Sequence, residues 1–168
     1  RQVMNKKIHK ILACIDLSEY SLITLEYAMA LAKKTGAQIM VLNVINQRDI
    51  YRIDMVYGFS PGYYANGVDA EEYVMEVTKE RQGRLKQLIE ENFVNEVPII
   101  ETRISAGIPS ECILKTVESE EIDLIVMANK GKGNISRFLF GSVAEKVFRH
   151  SPVPVVSVRD KMLFKRKD

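Results

Sequence analysis

"KILACIDLSEYSLITLEYAMALAKKTGAQIMVLNVI", residues 10–45, decides the fold. Its first part, "KILACID", is a short apolar run that closes on a carboxylate, the pattern of a buried strand. Leu22, Leu25, Met29 and Ala32 then recur at helical spacing, with Ser18 placed to cap the helix start. Lys33 and Lys34 suit the negative end of the helix dipole, and Gly36 suits the left-handed position that ends a helix. "QIMVLNVI", residues 38–45, is apolar again and reads as a second strand. Strand, helix and strand in immediate succession form a crossover unit, which makes the two strands parallel.

The alternation continues outward from this unit. Residues 46–68 interrupt it with Tyr51, Tyr57, Phe59, Tyr63 and Tyr64 among Gly58, Pro61, Gly62 and Gly67, which reads as a long aromatic loop, or flap. Such a flap either packs its rings on its own domain or meets a ligand or partner. Asp69 and Glu72 resemble a capping box before a charged helix running to about Phe93. Val74, Val77, Leu85 and Leu88 make its apolar face, with Arg81 as an interruption. "VPIIETRIS", residues 97–105, is a third strand whose partial alternation predicts a wetter face or an outer place. "GIPSECILKTVESEE" gives a helix burying Ile113 and Val117, and "IDLIVMAN" a strand apolar on both faces. "GSVAEKVFRHS" is the last helix and "VPVVSV", residues 153–158, the fifth strand. Strands alternating with helices predict a single doubly wound α/β domain, its parallel sheet covered on both sides.

The composition limits the function classes. The 168 residues suit one domain, expected over residues 4–160 with a basic tail over 161–168. The sequence has a natural-looking start at Met4, with residues 1–3 read as an addition and a longer native start left open. The net charge of +2 is too small to argue for nucleic acid or a membrane surface, and neither is expected as a partner. Two cysteines, Cys14 and Cys112, in apolar surroundings point to a reducing, cytoplasmic setting. His9 and His150 lack ligand-spaced neighbours, so no metal site is assigned to protein side chains.

In such a sheet, ligands bind beyond the carboxyl ends of the strands, where the strand order reverses. Asp16 closes the first strand, and "MANKGKGNISRFLFGS", residues 127–142, follows the fourth. Gly131 and Gly133 permit close backbone approach, and Gly141-Ser142 opens a helix whose first N–H groups favour an anion. Lys130, Lys132 and Arg137 add positive charge. Two readings remain open on these residues alone: a nucleoside-and-phosphate cradle, or a tight turn followed by an ordinary helix cap.

The spacing Gly131, nine residues, Gly141-Ser142 resembles the signature of the universal stress protein family, Gly-x-x-Gly-x₉-Gly-Ser/Thr. "ILACIDLSEYS", "VLNVI", "SAGIPSECILKTVESEEIDLIVMA" and "GSVAEKVFRHSPVPVVSVR" extend the likeness over nearly the whole chain. Ala128 stands where the family's first glycine falls. The resemblance implies a five-stranded sheet in the order 3-2-1-4-5, of the adenine nucleotide alpha hydrolase-like kind, and a homodimer through the last strand. It also implies the family's ATP-binding branch, with ATP as ligand and Mg²⁺ riding on its phosphates. Carried over by residue, Asp16 and the backbone of Val44 would hold the base, beside Cys14 and Ile15 on the ligand side of the first strand. Met127 and Ala128 would lie under the ribose. Gly131, Lys132, Gly133 and Asn134 would wrap the ribose and α-phosphate, and Gly141, Ser142 and Val143 would take the outer phosphates. No residue is assigned to catalysis, and slow hydrolysis is the most that is expected. Two alternatives are a dimeric interaction protein that binds no nucleotide and a binder of AMP or a cyclic nucleotide.

Overall fold

The computed structural model describes residues 7–58, 70–129 and 141–159. Five strands, β1 (Lys10–Cys14), β2 (Gln38–Asn46), β3 (Ile100–Gly107), β4 (Leu124–Ala128) and β5 (Val155–Val158), form one sheet. Their order is β3-β2-β1-β4-β5, and every pair is parallel. The expected doubly wound architecture and its strand order are therefore observed. β3 and β5 are the edges, which accounts for the exposed Glu101 and Thr102 on β3.

Each face of the sheet carries its own core. Ile11, Ala13, Ile39, Val41 and Val126 pack against Leu25, Ala28 and Met29 of α1 (Ser21–Thr35) and Leu85 and Ile89 of α3 (Ala70–Asn92). Leu12, Met40, Leu42, Ile125 and Met127 pack on the other side, against Ile113 and Val117 of α4 (Pro109–Ser119) and Ala144 and Val147 of α5 (Ser142–His150). Successive strand residues point to opposite faces, so a sheet covered on both sides must be apolar at every position. The amino ends of the strands are closed by charge. Glu120 pairs with Lys10 at 2.8 Å and Arg103 at 2.7 Å, and these two cations hold its carboxyl below the usual range.

Three local expectations change. Ser18 does not cap α1, which starts at Ser21. Asp16 Oδ1 accepts the Ser18 N–H at 3.0 Å, and Leu17 takes the left-handed region at φ 61°, so the chain makes a turn before the helix can begin. The buried face of α1 also includes Ser21 and Thr24 in place of Leu22, which is 36% exposed. Thr24 fits there because its hydroxyl donates to the Tyr20 carbonyl at 2.7 Å. At the other end Gly36, at φ 74°, closes the helix as expected, its N–H on the Ala32 carbonyl at 2.8 Å.

The third change concerns the predicted flap. A helix, α2 (Gln47–Gly58), occupies much of it, and residues 59–69 lie outside the described residues. Asn46 ends β2 and its side-chain oxygen accepts the Arg48 N–H at 3.0 Å, as an N-cap does. Asp49 sits in the first turn, where a negative charge is favoured. The aromatic residues obscured this start, since no glycine or proline falls between Gln47 and Gly58.

Candidate functional site at the carboxyl ends of the central strands

β1 and β4 are neighbours at the centre of the sheet, and the connections from them run to opposite sides, so the crevice beyond their carboxyl ends is the switch point. Cys14 stands opposite Met127 in the register, and Ala128 opposite Val158. Beyond β4, the Asn129 N–H donates to the Val158 carbonyl at 3.2 Å, and the Asn129 carbonyl accepts the Gly141 N–H at 2.9 Å. The chain therefore leaves the sheet at Asn129 and returns beside it at Gly141. Gly131, Lys132, Gly133 and Asn134 lie between these points, outside the described residues.

The return places the start of α5 at this end of the sheet. Gly141 is its N-cap, at φ −68° and ψ 153°, and no side chain among the described residues caps the helix. The first intrahelical bond is Glu145 N–H to the Gly141 carbonyl, at 3.0 Å. The N–H groups of Ser142, Val143 and Ala144 thus have no acceptor within the helix. Nothing in the backbone requires glycine at 141. Any residue adopts that conformation, and among the described residues an added Cβ would meet only the Asn129 carbonyl oxygen, at an ordinary 3.6 Å. Ala128 is likewise ordinary strand: the described non-glycine residues with positive φ are Leu17 and Glu121.

On the β1 side, Asp16 lies two residues past the strand and one carboxylate oxygen holds the turn through Ser18. Consecutive residues face opposite ways, so Cys14 and Ile15 do not share a direction. The Ile15 side chain is buried in the core with α1 and α3, and only its backbone lies at the crevice. Cys14 packs on the α4 and α5 side and is half-buried. Burial pushes its thiol up to about 12. Cys112 is also free, its thiol raised by burial and by Glu111. Met127 is buried, and its side chain belongs to the core.

Two residues that sequence reasoning left out of the site complete it. Asn43, 1% exposed within β2, donates from Nδ2 to the Ile15 carbonyl at 2.7 Å and accepts at Oδ1 from Arg81 Nη1 at 2.8 Å. The same Nη1 donates to the Val44 carbonyl at 2.9 Å. Arg81 is the cation that interrupted the apolar face of α3, and here it has a partner on the sheet. The signals were present: a single asparagine inside the apolar run "VLNVI" and one arginine on an apolar helix face. Neither carries a known spacing, so nothing linked them before folding brought them together.

A two-sided parallel sheet with a carboxylate turn and a helix start at its switch point defines the doubly wound class of α/β domain. The comparisons are more specific. The model of the Universal stress protein family matches residues 7–159. Universal stress protein MJ0577 of Methanocaldococcus jannaschii is 31% identical over 163 residues, which are 94% of this chain and 99% of that protein. Its solved structure superposes with a TM-score of 0.75, at 29% identity, covering 93% of this chain and 99% of the other. UspA from Lactobacillus plantarum gives a TM-score of 0.73 at 23% identity, with coverage of 92% and 100%. A universal stress protein solved in complex with cAMP gives 0.56 at 20% identity, with coverage of 91% and 98%. The chain belongs to the universal stress protein family.

Proposed function

We propose that this protein binds ATP in the crevice between the carboxyl ends of β1 and β4, and that it regulates through binding rather than turnover. The observation that carries the reading is the start of α5: a helix N-terminus that no described side chain caps, tied by Gly141 to the end of β4, with glycine where the described fold does not need it. A glycine that no backbone strain explains is expected where a ligand comes close. Ser142 and Val143 would meet the outer phosphates, and Asp16 and the Val44 backbone the nucleoside. Cys14, Ile15, Met127 and Ala128 would form the floor, and Gly131, Lys132, Gly133 and Asn134 would close over the ribose and α-phosphate. That a family member was solved with cAMP fits a fold able to hold an adenine nucleotide. No three His, Cys, Asp or Glu side chains come together among the described residues, so Mg²⁺ would be held by phosphate oxygens. No helix among the described residues is long and apolar enough to cross a membrane. Two free thiols suit the cytoplasm, where we place the protein.

Calorimetry with ATP, ADP, AMP and cAMP tests this reading. ATP is expected to bind at least about tenfold more tightly than AMP, roughly 1.4 kcal/mol, because only its outer phosphates reach α5. Equal affinities would remove α5 from the site, and no binding of any of the four would defeat the nucleotide reading.

The second part of the proposal is a homodimer through β5. The carbonyls of Pro154 and Val158 accept N–H groups from Ile125 and Asn129, so alternate residues face β4, and Val155 and Ser157 point to the open edge. An open edge invites a second copy. Ser157→Pro would delete an outward N–H and leave the ladder to β4 intact. Light scattering should give about twice the monomer mass for the parent protein at micromolar concentration and the monomer mass for Ser157→Pro. A monomeric parent would end this part of the proposal.

A further inference from the structure

β1 ends at Cys14, opposite Leu42, while β2 continues to Asn46. The Leu42 carbonyl accepts the Ile15 N–H at 2.9 Å, so it faces the β1 side. Two residues on, the Val44 carbonyl and N–H face the same side, into the lane that β1 has left. No strand among the described residues pairs with this edge, which opens on the crevice. Its carbonyl suits a donor such as the 6-amino group of adenine, and its N–H suits an acceptor such as a ring nitrogen.

Arg81 alters that edge. Its guanidinium already donates to the Val44 carbonyl at 2.9 Å, and it is anchored by Asn43 Oδ1 at 2.8 Å. Asn43 is held in turn by the Ile15 carbonyl at 2.7 Å, so the guanidinium sits at the end of a buried relay. A charged donor on the acceptor lowers its attraction for a second N–H and places positive charge beside it. A 6-amino group arriving there meets a like partial charge, whereas a 6-oxo group meets an attractive one.

We propose that Arg81 sets base selectivity in this crevice, weakening the preference for a 6-amino purine that the Val44 edge would otherwise show. The proposal rests on the nucleotide reading given above. ATP and ITP are the probes: they differ at the 6-substituent and at N1, an acceptor in ATP that carries a proton in ITP. The parent protein should prefer ATP by less than about tenfold. Arg81→Met keeps the apolar stem of the side chain and removes its donors. It should raise the ratio of ATP to ITP affinity at least about tenfold, as expected for loss of one charge-assisted hydrogen bond. Arg81→Gln, which retains a neutral donor, should give an intermediate ratio and serves if the Met variant does not fold.

Circular dichroism checks the fold, and the Asn43 side-chain amide resonances, which should shift in ligand-free Arg81→Met, report the relay without any nucleotide. A general loss of stability would weaken both nucleotides alike and leave the ratio where it was. If folded Arg81→Met changes the ratio less than tenfold, or if, where only Arg81→Gln folds, its ratio does not exceed the parent's, or if the parent itself prefers ATP by more than tenfold, the selectivity role is overturned and the nucleotide site stands. If no variant and no parent protein binds either nucleotide, the nucleotide reading itself has failed and this inference with it.

Discussion

Gly141→Asp is expected to lower ATP affinity at least tenfold while leaving the ligand-free protein as stable as its parent or slightly more so. Both halves follow from the same position. Gly141 is the N-cap of α5 with extended backbone, and an added Cβ meets one carbonyl oxygen at 3.6 Å. Aspartate is among the best N-cap residues, so its carboxylate can accept the N–H groups that glycine leaves open, for a gain of a few tenths of a kcal/mol. Those are the N–H groups proposed for the outer phosphates. The substitution therefore fills the anion site with the protein's own anion, and the loss of about 1.4 kcal/mol or more in binding comes without loss of fold. Calorimetry and a melting curve on the same sample decide it. Unchanged ATP affinity in a folded variant would remove the helix start from the site.

Asn43→Leu should have the largest effect on stability. Leucine has the same branching and number of side-chain heavy atoms and is somewhat bulkier, so none of the cost comes from a cavity. It removes the donor to the Ile15 carbonyl and the acceptor for Arg81, both part of a residue that is 1% exposed. A buried carbonyl left without a partner costs about 1–3 kcal/mol, and loss of the arginine anchor adds to it. We expect a destabilisation of about 2–3 kcal/mol, a fall in melting temperature of roughly 4–12 °C for a chain of this size. Urea titration with an unchanged slope would show that the effect lies in the native state. A variant as stable as its parent would mean that water satisfies the Ile15 carbonyl and that the relay holds nothing in place.

The parts of this fold that could be read from the sequence are those set by continuous burial. "ILAC", "IMVL" and "LIVMA" are apolar at every position because both faces of each strand are covered, and that pattern needs no partner to be recognised. The order of the strands did not come from burial; it came with the family resemblance, and the sheet agrees with it. What could not be read were features made by polar groups reaching across the fold. α2 was missed because aromatic residues suggested a flap while the Asn46 cap carried the real signal. Ser18 looked like a helix cap but was recruited into the Asp16 turn. Asn43 and Arg81 are 38 positions apart and gain a joint role only when α3 lies across β2. Cys14 and Ile15 were read together as ligand-facing, although strand alternation sends the Ile15 side chain into the core.

The hydrogen bond from Gly141 N–H to the Asn129 carbonyl has a consequence for how such a protein can diversify. The described scaffold ends at Asn129 before the segment 130–140 and resumes at Gly141, two points held together by one hydrogen bond. Doubling the segment's length would add only about 0.6 kcal/mol of closure entropy. Because both attachment points are fixed side by side, a segment of another length from a relative could be grafted between Asn129 and Gly141 at little cost in closure entropy.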